Sequence, residues 1–261
     1  MNAPPKARHS RHMNLILLEE GDLAPDGLAH LTGRRARHVR EVHRAQLGDE
    51  LVVGQVGGLM GKGRVARWEK EVVVLEVRLD APPPPPSGLE LLLAMPRPKI
   101  LRKVLQAASS LGIKRLVLVN SYRVEKSYFD SPLLSPEDLR GHLVLGLEQA
   151  RDTVLPEVRI ERRFKPFVED QVEALWSAAR RLVAHPVPEA PLGQGAAGTA
   201  AQRLAVAIGP EGGWIPFEVE LLEAYGFQRF SLGPRILRVD VAVPYIVAQL
   251  ELARQWASWT R

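Results

Sequence analysis

The sequence predicts an α/β protein, a parallel sheet with alternating helices preceded by a smaller β-rich domain. Three observations carry this. The proline run APPPPPSG, Ala81 to Gly88, divides the chain; prolines in series neither continue a helix nor donate to a sheet, so the segment is extended and stiff. Before it, short apolar runs are punctuated by glycines. After it, strand-length apolar runs alternate with stretches of helical period, the pattern of a parallel sheet. The expected boundaries are 1–80 for the first domain, 81–88 for a linker and 89–261 for the second domain.

The elements follow in chain order. Leu51 to Val53 and Val72 to Val77 read as strands of a small barrel. Leu89 to Ala94 reads as a strand, and Lys99 to Leu111 as a helix with Ile100, Leu101, Val104, Leu105, Ala108 and Leu111 on one face. Leu116 to Val119 is the next strand, and helices fit Pro136 to Glu148 and Val168 to Arg181. Strands are expected at Leu182 to Ala184, Leu204 to Ile208 and Phe230 to Leu232. A helix opens at Pro216, since proline suits a first turn. Pro186 to Ala200 reads as a flexible surface loop without chemistry.

Composition narrows the function. The 261 residues include no cysteine, which excludes a disulfide framework and a thiolate metal site, and no metal is expected. The basic start MNAPPKARHSRHM is followed only by the short apolar run Leu15 to Leu18, so neither a signal peptide nor a membrane span is expected, and the protein is expected in the cytoplasm. A formal charge of +5 is compatible with a polyanionic partner.

In an open α/β sheet, ligands bind beyond the carboxyl ends of the strands. Three loops qualify: Ala184-His185-Pro186, the Gly209 to Gly213 turn, and SLGPRILR from Ser231 to Arg238. In AIGPEGGWIPFEVELL, Ala207 to Leu222, a buried strand passes through Gly-Pro-Glu-Gly-Gly into a helix. Glycines at such a turn allow positive φ or let a ligand approach the backbone. A purely structural turn remains the alternative.

IGPEGG (Ile208 to Gly213) followed by SLGPRILR resembles the signature of the SPOUT methyltransferases, specifically the 16S ribosomal RNA (uracil-N3)-methyltransferase family. Upstream, Met95 to Ser121, Glu148 to Val158 (EQARDTVLPEV) and His38 to Leu51 are similar to further family segments. The resemblance implies a PUA-like β-barrel and a C-terminal domain threaded into a trefoil knot. It implies S-adenosylmethionine as cofactor, a homodimer, and 16S ribosomal RNA of the small subunit as substrate. The cofactor-binding residues it implies are Ala184, His185, Ile208, Gly209, Pro210, Gly212 and Gly213, with Leu232, Gly233, Arg235, Ile236 and Leu237.

The chain also departs from the family pattern. Arg-Thr-Glu-Thr-Ala is replaced by Arg238-Val239-Asp240-Val241-Ala242, Glu-Leu-Gly by Ser110-Leu111-Gly112, and the arginine of the EQ element, Arg151, is displaced by one position. Methylating N3 of uracil requires loss of a weakly acidic proton and in-line alignment of the nitrogen with the methyl donor. Arg238 is the candidate cation for the developing anion, and Asp240 the candidate for orientation or proton transfer. Asp240 as N-cap of the C-terminal helix is the alternative, with Pro244 then in a tolerant first turn. His185 reads as a base or, in preference, a backbone-positioning residue, and Glu211 as fixing its turn. Within the basic group Arg34, Arg35, Arg37, His38, Arg40, His43 and Arg44, RNA contact is expected of Arg34, Arg37, Arg40 and Arg44, the rest of a surrounding helix facing solvent. Trp256 and Trp259 are expected at a dimer interface. Two rivals remain: a catalytically inactive RNA-binding protein of this fold, and a phosphate-binding enzyme, which lacks a Gly-Lys-Ser/Thr sequence. A methyltransferase acting on another RNA site is a variant of the first reading.

Overall fold

The computed structural model describes residues 14–185, 202–231 and 233–259, with side chains to 255. The expected loop at 186–200, Leu232, and the side chains of Trp256 and Trp259 therefore lie outside the described residues. The chain forms two compact units. One comprises Met1–Pro83 and Glu148–Val154, the other Pro84–Leu147 and Leu155–Arg261.

The first unit holds β1 (Ile16–Leu18), β2 (Leu28–Leu31), β3 (Glu50–Gln55), β4 (Met60–Trp68) and β5 (Val73–Ala81), in spatial order β1-β3-β4-β5-β2. All pairings are antiparallel except β1 with β3. Alternate residues such as Leu51, Val53 and Val65 turn inward onto Ile16, Leu18, Leu31 and Leu75. Register shifts between Met60 and Gly61 and between Val65 and Arg67 curl this sheet. The glycine-rich β4 carries too few apolar residues, and β2 is too short, to be recognised from sequence. The expected helix around the arginines is one α-turn and more, α1 (Gly33–Arg37), running into a π-helical stretch at His38–His43 and ending at Arg44 with φ 49°.

The second unit is a six-stranded sheet of β6 (Leu89–Ala94), β7 (Arg115–Val119), β8 (Glu157–Glu161), β9 (Arg180–Ala184), β10 (Leu204–Ile208) and β11 (Phe227–Phe230). Its order is β11-β9-β10-β6-β7-β8, and every pairing is parallel. Every residue of β10 is buried, so both faces of the sheet centre are covered. The helices are α2 (Pro98–Ser110), α3 (Pro136–Ala150), α4 (Phe164–Trp176), α5 (Pro216–Ala224) and α6 (Val239–Trp259). Helix α2 packs on α6, and α4 on α5.

Four expectations are corrected, the first being the strand expected at Phe230 to Leu232, which spans Phe227–Phe230 as β11. Helix α4 begins at Phe164, not Val168, because Pro166 falls in its first turn and Phe164, Phe167, Val168, Val172 and Trp176 form its buried face. Its end at Trp176 leaves Arg180 and Arg181 to β9. Helix α6 starts at Val239, so Pro244 lies inside it, past the first turn, and offers no N–H to the carbonyl of Asp240. The edge strand β8, Glu-Val-Arg-Ile-Glu, was not expected; its charges suit a sheet edge and hide the apolar pattern.

Candidate active site

Because all six strands run in parallel, their carboxyl ends share one edge. The end of β9 with His185, the turn after β10 and the described residues after β11 line a cleft with a cavity volume of about 150 Å³. The backbone N–H of His185 donates to the carbonyl of Phe230 (3.0 Å), tying the residue after β9 to the end of β11. A Cβ on Gly209 would stand 3.0 Å from the backbone nitrogen of Trp214, so a side chain there would push the facing backbone of this turn aside. Gly213, at φ 74°, lets the chain reverse before α5.

Ala184, His185, Ile208, Gly209, Pro210 and Gly213 line the cleft from the first two loops; Gly233, Arg235, Ile236 and Leu237 line it from the third. Gly212 is turned away: its carbonyl accepts a hydrogen bond from Arg123, and a Cβ there would meet the Arg123 side chain at 3.0 Å. Glu211 contributes to the lining. Trp214, Phe230 and Ser231 also line it, as do Val239, Ala242, Tyr245 and Ile246 of α6. The α6 residues were not expected to line the cleft, because nothing in a single helix states what it faces.

Two buried polar atoms have no protein partner here, Nδ1 of His185 and Nε1 of Trp214. Burial first, and the charge of Arg229 second, hold the His185 imidazole below its ordinary pKa, so the ring is neutral at pH 7. An apolar cleft with glycine-lined backbone and two open hydrogen-bonding groups fits a nucleoside-like ligand of low net charge.

Beside the cleft, Oδ2 of Asp240 accepts from Nζ of Lys103 (2.9 Å) and from Nη2 of Arg238 (3.3 Å). The Asp240 side chain is 6% exposed and that of Arg238 70%. The Lys103 hydrogen bond, assisted by Arg238 and opposed by burial, holds the Asp240 carboxyl below the usual carboxylate range. Its second oxygen, Oδ1, is buried without a partner. The N-cap reading of Asp240 is overturned: the carbonyl of Arg238 accepts from the N–H groups of Val241 and Ala242, which makes Arg238 the capping position. Asp240 lies within the first turn, drawn to the two cations. Lys103 was missed because it lies far away in sequence.

In the first unit, the expected RNA contacts divide. Arg34 forms a two-pronged pair with Glu148 (2.9 and 3.2 Å), and Arg40 donates to the carbonyls of Glu69 and Lys70 while stacking over Trp68. Arg35 is held by the buried Asp22. Arg37 and Arg44 are exposed, with no ion pair among the described residues. Also among the described residues, no cluster suits a metal and no helix is long and apolar enough to cross a membrane.

Comparison with known proteins places this geometry. Residues 83–251 match the model of an RNA methyltransferase domain. The chain is 31% identical to ribosomal RNA small subunit methyltransferase E of Treponema pallidum over 88% of its own length and 87% of that protein. It is 22% identical to ribosomal RNA small subunit methyltransferase E 1 of Borreliella burgdorferi, over 88% and 94%. Among solved structures it resembles a ribosomal RNA small subunit methyltransferase E from Neisseria gonorrhoeae bound to S-adenosyl methionine. The TM-score is 0.74 at 21% identity, covering 92% of this chain and 98% of that one. A methyltransferase from Legionella pneumophila, in complex with the bound cofactor SAM, gives 0.71 at 21% identity over 93% and 98%. At that identity the two structures establish the fold.

Proposed function

The chain belongs to the ribosomal RNA small subunit methyltransferase E family, and on that premise we propose that it methylates N3 of a uridine in 16S ribosomal RNA. It is an S-adenosylmethionine-dependent RNA methyltransferase. The observation that carries the finer reading is the three-loop cleft with its two open polar atoms, set beside the Arg238–Asp240–Lys103 cluster.

When bound, S-adenosylmethionine supplies a methyl group on a positively charged sulfur. His185 and Trp214 would offer it hydrogen bonds, the backbone at Gly209, Pro210 and Gly213 would hold it, and Ile208, Leu237, Ala242 and Ile246 would exclude water. Arg238, exposed and anchored at one end by Asp240, is free to lean over a uracil edge and stabilise charge developing at N3. Asp240, already holding two cations and hard to protonate, orients Arg238 and is a poor proton acceptor.

The homodimer is supported by an apolar stripe on α6: Val241, Tyr245 and Leu252 are 41–45% exposed and lie at i, i+4 and i+11. Threading of the C-terminal segment as a trefoil knot, and action on the small subunit in the cytoplasm, complete the proposal. It is tested by comparing nucleosides from 16S ribosomal RNA with and without the gene. Loss of 3-methyluridine on deletion is expected; an unchanged nucleoside profile would leave the N3 assignment without support.

A further inference from the structure

The turn after β7 bears an aromatic ring that the fold does not use. Tyr122 is 80% exposed, and its hydroxyl makes no hydrogen bond among the described residues. Its backbone, in contrast, is fixed. The carboxylate of Glu218, 2% exposed, accepts from the N–H of Tyr122 (2.7 Å) and, through its other oxygen, from the N–H of Ile215 (3.0 Å). One buried side chain thus ties the turn after β7 to the segment after β10. The next residue repeats the tie, because Arg123 donates to the carbonyl of Gly212. Room for that arginine, rather than for a ligand, is what Gly212 provides.

A ring held out in solvent on a doubly anchored turn loses little freedom when something stacks on it. The surroundings define what that is. At the same carboxyl edge, Arg97 after β6, Lys126 after β7 and Arg163 after β8 are exposed, with no ion pair among the described residues. Arg162, by contrast, is engaged: it pairs with the exposed Asp130 at 3.5 Å, donates to the carbonyl of Phe129 (2.9 Å) and lies over the Phe129 ring. An exposed aromatic among unpaired cations suits a single-stranded nucleic acid, whose bases stack while its phosphates meet the arginines. We propose that Tyr122 is a stacking platform for an unpaired base of the RNA substrate, held beside the cleft by Glu218 and Arg123. This assignment rests on the methyltransferase reading for its choice of RNA.

The test uses the full chain and small ribosomal subunits lacking the modification. Tyr122→Ala should weaken subunit binding roughly 5- to 150-fold, the range of one base–aromatic stack. S-adenosylmethionine affinity and sedimentation should not change, and Tyr122→Phe and Tyr122→Trp should bind within about twofold of wild type, since stacking needs only the ring. Unchanged subunit binding by Tyr122→Ala overturns the assignment, and so does an equal loss in Tyr122→Phe, which would assign the effect to the hydroxyl. A changed oligomeric state in Tyr122→Ala also overturns it, by making the ring a contact between copies. Methyl transfer by the wild type, measured in parallel, separates the two readings. If wild type binds subunits but transfers nothing while Tyr122→Ala loses binding, the platform stands and the methyltransferase reading falls. If wild type does not bind subunits at all, both fall.

Discussion

The two edges of the six-stranded sheet are built from similar residues and put to different uses. At the amino ends of the strands, cations are neutralised. Glu90 accepts from Arg115 (3.0 Å), Arg203 and the indole of Trp176 (2.7 Å); Glu157 accepts from Arg115 and Arg159, and Arg181 pairs with Glu173. At the carboxyl ends, Arg97, Arg163 and Arg235 have no carboxylate partner among the described residues, and buried polar atoms of His185, Trp214 and Asp240 are open. Leaving such groups unsatisfied costs stability unless something else completes them. One edge therefore holds the fold together, and the other is arranged for ligands.

Substitutions can break this contrast. The largest effect is expected at the ligand edge: Arg238→Ala should lower methyl transfer by about 2.7–4 kcal/mol, roughly a hundred- to a thousandfold, as for an oxyanion donor. Stability and cofactor affinity should stay near wild type; an unchanged single-turnover rate would remove Arg238 from the chemistry. At the amino edge the opposite is expected. Glu90→Gln leaves three donors facing a weaker acceptor, so chemical denaturation should show a loss of about 1–3 kcal/mol without altered S-adenosylmethionine binding.

The Lys103–Asp240 pair sharpens the comparison through pH. The folded-state pKa of Asp240 is depressed, so its stabilisation is fully present above the ordinary carboxylate pKa and is lost as pH falls through the lower folded value. Asp240→Asn should therefore reduce stability at pH 7 and flatten its decline below about pH 4. An equally steep acid decline in the variant would show that the pair contributes nothing. The smallest effect is expected in the first unit, where Arg37→Ala with Arg44→Ala should lower the salt slope of RNA binding by roughly 0.7–0.9 for each phosphate left without its arginine. Unchanged slopes would identify the two arginines as a solvated surface.

Legibility in the sequence followed burial. Strands β6 and β10, buried along nearly their whole length, were expected with the bounds they have, because unbroken apolar runs have few alternatives. Edge strand β8 escaped because its charges interrupt the pattern. The glycine turns stood out as motifs, yet their division of labour did not: Gly209 and Gly213 shape the cleft wall while Gly212 makes room for Arg123, a distinction set by tertiary neighbours. Asp240 had the right composition for a cap, and only Lys103, 137 residues away, shows what holds it instead. Leu232 lies outside the described residues.

Whether the carboxyl-edge cleft is the cofactor site is decided by calorimetric titration of S-adenosylmethionine into wild type, Glu90→Gln and Gly209→Val. The first two should bind with equal affinity. Gly209→Val should show no binding heat while remaining folded at the titration temperature, because its side chain would press on the backbone of Trp214 and distort the turn that walls the cleft. Binding by a folded Gly209→Val protein at wild-type affinity would place the cofactor elsewhere.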